Sequence, residues 1–397
     1  SDAETQEKNV AYSKETIAQF LTALNGEGTG ALQALNEESG YNDVKDSGLT
    51  VAEIFINGTP MKSLNPMVNM FLPALGLENI NSANLQYSYK NNKLNVTGFL
   101  QSPGERKALA QLFEQPAISM QPPQWVSKEV QAYSSMSLDL NKVIDIAINT
   151  GNSFQPQMTE QYVAMANQGI KGVLGVDLKG FLGSMSTTIH ALTYGIEDVK
   201  IGETTVPQQS VAMVIDYKNE EVLTKLYHFV ALASAKAKNQ EVTEIEEQGF
   251  KGFRFVTPGT GVNFSLFLSN GKIILTQGKS ATEQTLANLR KTPAANQQLI
   301  NTKAYKRMQA QEKNSSGILH SFSDGNKQMK QSINMIAQLQ NNPLFAKNKE
   351  FKQIFSIFAS LLPKADEIDN IVGYSTASIY LNEKGIVLKG TSEVPAE

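Results

Sequence analysis

Three histidines, His190, His228 and His320, are the only imidazoles in the chain, and there is no cysteine. The chemistry open to such a set is general acid–base work or metal ligation, and either needs partners at defined spacing. No H-x-x-x-H or H-E-x-x-H spacing places two imidazoles on one helical face. His228 falls opposite the apolar stripe Val222, Leu223, Leu226 and Val230 of a predicted helix, which makes it a surface residue. His320 shares a strand face with Ile318 and Phe322, and His190 one with Leu192 and Tyr194, the setting of half-buried structural side chains. The lack of cysteine removes thiol nucleophiles, thiolate metal sites and disulfides together.

Gly278-Lys279-Ser280 follows a predicted strand and opens a helix, as a phosphate-binding loop does. The glycine such a loop needs five places earlier is Ile273, and Ser280 as a helix N-cap accounts for the same residues. No G-x-S-x-G elbow occurs. The carboxylate groups Asp366, Glu367 and Asp369, and Glu244, Glu246 and Glu247, lie in polar segments where nothing would raise a carboxyl pKa for acid catalysis. The chain is therefore expected to be no enzyme and to need no cofactor or metal.

The distribution of charge carries more information. The net charge of −3 over 397 residues gives no overall attraction to nucleic acid, which is set aside as a partner. Residues 1–53 hold ten acids and three lysines, whereas residues 290–352 hold eleven Lys/Arg and three acids. The basic segment carries Lys303, Lys306, Arg307, Lys313, Lys327, Lys330, Lys347, Lys349 and Lys352. This is the candidate patch for an anionic partner, another envelope protein or an anionic lipid surface, with an attraction that salt would screen.

These residues must be positioned by elements that the periodicity makes visible. Apolar spacing predicts a helix from Ser13 to Leu24, a strand over Leu49–Asn57, and a helix opened by Asn65-Pro66. A hairpin follows, with Leu85, Tyr87 and Tyr89 facing inward and Asn91-Asn92 as the turn. Ser102 to Glu105 then reads as a capping box before Ala108, Leu109, Leu112 and Phe113. Downstream the same order returns: a strand over Val211–Ile215, a helix over 220–233, and a strand over Phe250–Val256. The next hairpin turns at Asn270-Gly271, and Ser280-Ala281-Thr282-Glu283 caps the helix after it. Asp139 and Asp324 each end a strand and cap a helix, with further helices over 159–167 and 349–362. Trp125 after Pro122-Pro123 reads as a wedge between units.

A gap-free match at an offset of 292 sets Leu85, Tyr87, Tyr89, Leu94, Gly98 and Pro103 against Ala377, Ile379, Leu381, Ile386, Gly390 and Pro395. The expectation is an α+β chain, a tandem duplication of antiparallel hairpins with helices packed on one face. Its parts are a polar leader and amphipathic helix over 1–44, a first half over 45–198 and a second over 207–397. The boundary falls between Gly195 and Gln208.

S-x-x-L-D-L-x-K over Ser135–Lys142, G-V-D-L-x-x-x-L-G over Gly175–Gly183, the A-M-V-I-D strand with its L-x-x-L helix, and the G-K-I-I-L-T hairpin resemble a bacterial family. It is the exported domain-of-unknown-function family thirty-three fifty-two, and the resemblance covers Val130 to Leu289. It implies an envelope location and a non-catalytic duplicated fold, and it brings no catalytic residue. With the polar leader Ser1 to Asn9, the expectation is an exported, periplasmic or outer-membrane-anchored lipoprotein whose N-terminal lipid anchor has been removed. It would act as a scaffold or accessory binding protein. The alternative is a periplasmic carrier or chaperone for a lipid or apolar peptide.

Overall fold

The computed structural model describes residues 48–57, 80–104, 106–201, 204–236, 241–256, 263–310, 316–340 and 373–394. The expected helices over 13–24, 65–72 and 349–362 lie outside these residues, as does most of the 1–44 leader. One antiparallel sheet of thirteen strands organises the rest, with seven α-helices among the described residues.

The strands are β1 (Leu49–Asn57), β2 (Ser82–Lys90), β3 (Lys93–Gln101), β4 (Ile118–Ser119), β5 (Ala132–Ser137), β6 (Met185–Ile201), β7 (Thr204–Tyr217) and β8 (Glu241–Glu247). They continue with β9 (Phe250–Val256), β10 (Asn263–Ser269), β11 (Lys272–Gln277), β12 (Ser316–Gly317), β13 (Leu319–Asp324), β14 (Tyr374–Asn382) and β15 (Gly385–Glu393). The helices are α1 (Leu140–Phe154), α2 (Pro156–Leu174), α3 (Leu178–Gly183), α4 (Glu220–Lys236), α5 (Lys279–Arg290), α6 (Lys303–Gln309) and α7 (Gly325–Gln340). The order across the large sheet is β1-β2-β3-β15-β14-β13-β5-β6-β7-β11-β10-β9-β8, and β4 and β12 pair separately. From the central β13-β5 pair outward, each side runs three strands in chain order and then turns back, through β3, β2 and β1 on one side and through β11, β10, β9 and β8 on the other.

The turn residues act as their types require. Asn91, Asn92, Asn270 and Gly271 all take positive φ, between 52° and 65°, which matches a two-residue turn to the twist of its strands. Asp139 accepts hydrogen bonds from the Asn141 and Lys142 N–H groups at 3.0 and 3.2 Å, and Asp324 accepts from the Lys327 N–H at 3.1 Å. Both expected caps are present.

Helices cover both faces of the sheet, not one. Leu192, Ala212, Val214, Phe267 and Ile274 pack with Ala281 and Leu286 of α5 and Tyr305 and Met308 of α6. On the other face Phe253, Leu268 and Tyr217 pack with Val222 and Leu223 of α4 and Leu174 of α2. The cause is local: β10 and β11 carry apolar residues at both parities, Phe267 beside Leu268 and Ile273 beside Ile274, so each surface needs cover.

Four local readings change. On β2 the buried residues are Ser82, Asn84, Gln86 and Ser88, opposite in parity to the expected Leu85, Tyr87 and Tyr89. The next strands decide this, because Asn84 stands beside Phe99, which stands beside Val387, and those two apolar residues are 2% and 0% exposed. After Ser102 the chain forms a 3-10 helix over Ala108–Phe113, with Phe113 exposed, in place of an amphipathic α-helix. Gly278, at φ 90°, takes the N-cap position of α5 in place of Ser280. Glu197 of β6 accepts from the Lys279 and Ser280 N–H groups there. Finally, the segment between Gly195 and Gln208 lies inside the long β6–β7 hairpin, where Asp198 pairs with Pro207. Gly195 has φ 127°, and an added Cβ would meet Gln131 and Gln331 side-chain nitrogens at 2.7 and 2.6 Å.

Candidate anion-binding site

Four adjacent strand ends meet at one margin of the sheet: the start of β3, the end of β15, the start of β14 and the end of β13. Their junctions, with α6 and the first turn of α7, enclose an open cavity of about 690 Å3. Lys93, Arg307, Lys327 and Lys330 line it together with Asp324 and Glu393. Among the described residues that line it, cations outnumber carboxylates four to two.

Each charge is set by its element. Lys93 follows the Asn91-Asn92 turn and stands opposite Glu393 across the β3–β15 ladder. Arg307 reaches over from α6, anchored by buried Tyr305 and Met308, and grips Glu393 with Nε to Oε1 at 2.6 Å and a second nitrogen to Oε2 at 2.8 Å. The two-bonded geometry fixes the guanidinium in one plane at the cavity wall. Lys327 Nζ lies 3.4 Å from Asp324 Oδ2, so the carboxylate that caps α7 also holds a lysine at the rim. The Tyr374 ring forms the floor, stacked on Phe322 at 5.6 Å between centroids.

Of the basic residues expected to meet an anionic partner, the fold thus gathers Arg307, Lys327 and Lys330. Lys303 and Lys306 are exposed on α6 outside the cavity lining, and Lys313, Lys347, Lys349 and Lys352 lie outside the described residues. Sequence reasoning missed Lys93, because nothing local ties a turn near residue 92 to a helix near residue 330. Only the β3–β15 pairing brings it there, and the offset match aligns the two hairpins as copies without placing them next to each other.

The histidines take a different place. His228 is exposed on α4, as expected. His190 and His320 stand on either side of Ser135, directly paired with it across β6 and β13, so all three share one face. Tyr133, 0% exposed, has its hydroxyl 3.0 Å from His190 Nδ1, and the Trp125 ring meets His190 edge-on at 5.6 Å. His320 is 1% exposed, with Tyr305 Oη 3.5 Å from its Nε2, and Tyr305 donates to the Met120 carbonyl at 2.8 Å. Burial pushes both imidazoles down to about 4. At His190 the Asp216 charge opposes that shift and Lys272 adds to it. Burial raises the Tyr133 phenol as well. Neutral imidazoles beside the buried Tyr133 and Tyr305 hydroxyls fill and orient a polar seam within the core. Among the described residues, no group of three or more His, Asp or Glu side chains is gathered as a metal ion would require.

Fold and site together define a mixed helix-and-strand protein on a wide antiparallel sheet with a cationic cavity at one margin. No protein-family model matches the chain, and no curated protein is significantly similar to it.

Proposed function

We propose that this chain is a non-catalytic, exported cell-envelope protein, a scaffold or accessory binding protein that holds an anionic group of an envelope partner in the cavity beside Asp324. The observation that carries this reading is the convergence of Lys93, Arg307, Lys327 and Lys330, from three separate elements, on one open space that holds two carboxylates among the described residues. Such a site attracts anions over roughly a Debye length of about 8–10 Å and selects for a protruding acidic group more than for a flat surface. An acidic protein segment fits that shape. The resemblance to the exported family supports the envelope location.

Beside the expected tandem halves 45–198 and 207–397, we read a different likeness, between the two sides of the sheet, β13–β15 with β1–β3 and β5–β11. Supporting this, Lys93 opposite Glu393 beside Asn91-Asn92 repeats as Lys272 opposite Asp216 beside Asn270-Gly271. The Val394 N–H bond to the Asn92 carbonyl likewise repeats as the Tyr217 N–H bond to Gly271.

Titration of the full chain with a short poly-glutamate peptide, followed by calorimetry, tests the reading. Binding that weakens as salt rises, and weakens about tenfold or more in Lys93→Gln/Lys330→Gln, is expected. Binding of anionic phospholipid vesicles with no response to the peptide would move the partner to the membrane surface. Indifference to both would sink the proposal.

A second reading, a carrier for an acyl chain or apolar peptide, has one observation in its favour. Ala191, Thr193, Val211, Met213, Phe264 and Leu275 line an open groove of about 430 Å3 on the sheet. Native mass spectrometry of the purified protein without a co-purified lipid or peptide, and no fluorescence gain from an apolar dye, would remove it.

A further inference from the structure

The thirteen-stranded sheet has two outer edges, and they are treated differently. At one margin β8 carries Glu244, Glu246 and Glu247, the first two exposed, and so opposes a further strand by charge. At the other, β1 reads Leu-Thr-Val-Ala-Glu-Ile-Phe-Ile-Asn with a single ionisable residue, Glu53, and no proline or lysine. Leu49 is 73% exposed, Val51 62% and Ile54 43%, although all three are β-formers of the kind normally buried. Among the described residues β1 pairs only with β2, so the outward N–H and C=O groups of a nine-residue strand face away from the sheet. Its one irregularity lies between Thr50 and Ala52, which leaves Ala52–Asn57 as a regular run.

An edge of this kind specifies a strand as its occupant, because only a strand satisfies a row of alternating donors and acceptors. Charge then selects which strand. Pairing β1 with the β8 edge of another copy would set Glu53 among four glutamates, and it would also build an open chain of molecules. Antiparallel pairing of β1 with itself closes on a two-fold axis. Directly opposed residues must point to the same face, so the axis passes through one residue opposed to its own copy. Centred on Ile54, this register opposes Ala52 to Ile56 and Glu53 to Phe55, and it keeps the two Glu53 carboxylates out of direct opposition.

We infer that the β1 edge is a homodimer interface, joining two copies of this chain through an antiparallel β1–β1 pair centred on Ile54. The inference is independent of the anion site, which lies on β3, β13, β14, β15 and the helices beside them.

Sedimentation of the full chain over a concentration series tests it. The expected weight-average mass rises from 43.4 kDa towards twice that value and stops there. Ile54→Lys sets like charges against each other at the axis and is expected to raise the dimer dissociation constant at least about tenfold, and Ile54→Glu likewise. An equimolar mixture of the two variants is expected to recover the dimer, which a misfolded variant could not do. A chain that stays monomeric to about 1 mM, mass that grows without limit, or a mixture that fails to recover the dimer would each overturn the proposal.

Discussion

The margin of the sheet beside Asp324 and the one beside Asp139 are built to the same plan and end differently. In each, a central strand stops at an aspartate that caps a helix, and a lysine after a tight turn faces a carboxylate two strands away from that stop. Beside Asp139, α3 fills the corner. Asp177 caps it through the Gly180 N–H at 2.7 Å, and Phe181 packs at 5.9 Å from the Tyr217 ring while its carbonyl accepts from the Tyr217 hydroxyl at 3.1 Å. The space left there, lined by Asp139, Asn141, Met185 and Lys218, is about 230 Å3. Beside Asp324 the corresponding space is about 690 Å3, and Arg307 and Lys330 add positive charge to its walls. One margin has been closed by packing, and the other has been kept open and made cationic. The shared features therefore belong to folding, and on the proposed reading the differences serve binding.

The contrast extends to the histidines, His320 on β13 and His190 on β6 on either side of β5, and here the largest effect is expected. His320 titrates near 4 in the fold against 6.5 in the free chain, so the unfolded state takes up its proton first as pH falls. Its contribution is complete above pH 6.5 and is lost between there and pH 4, amounting to about 3 kcal/mol at the limit. Urea midpoints at pH 7 and pH 4.5 check this. The wild type should lose more stability between the two than His320→Gln does, and parallel losses would contradict a neutral, sealed imidazole. At the closed margin, Phe181→Ala should cost about 2 kcal/mol, because a half-buried ring leaves a cavity beside Tyr217. The same measurement reads it, and poly-glutamate binding at the other margin should not change.

Much of this plan was legible where its cause is local. The Asn-Asn and Asn-Gly turns, the two aspartate caps and the stripe of α4 each depend on residues within a few positions of one another, and each stands as expected. What the sequence concealed depends on distant neighbours. Nothing near Ser82 announces that β2 buries its polar side, since that choice is made by Phe99 and Val387 on strands reached through other hydrogen-bond ladders. The cap of α5 comes from Glu197, more than eighty residues upstream, so a serine in the right place was credited with it. The basic segment was visible as composition, but only the fold separates Arg307, Lys327 and Lys330, which face one cavity, from Lys303 and Lys306, which do not.

The smallest effect gives the sharpest test of the comparison. Lys93 and Lys272 hold matched positions, each facing a carboxylate across a ladder. Lys272 bonds Asp216 where that carboxylate is 56% exposed, so screening leaves the pair worth less than about 1 kcal/mol. Lys272→Met and Lys93→Met should therefore be nearly alike in urea midpoint, each within about 1 kcal/mol of the wild type. They should separate in poly-glutamate titrations. Lys93→Met removes one of four cations around a recessed site and should weaken binding about fivefold with a shallower salt dependence, whereas Lys272→Met should bind as the wild type does. Equal losses from both would mean that the peptide senses only the overall charge of the chain, and the open margin would then have no role that the closed one lacks.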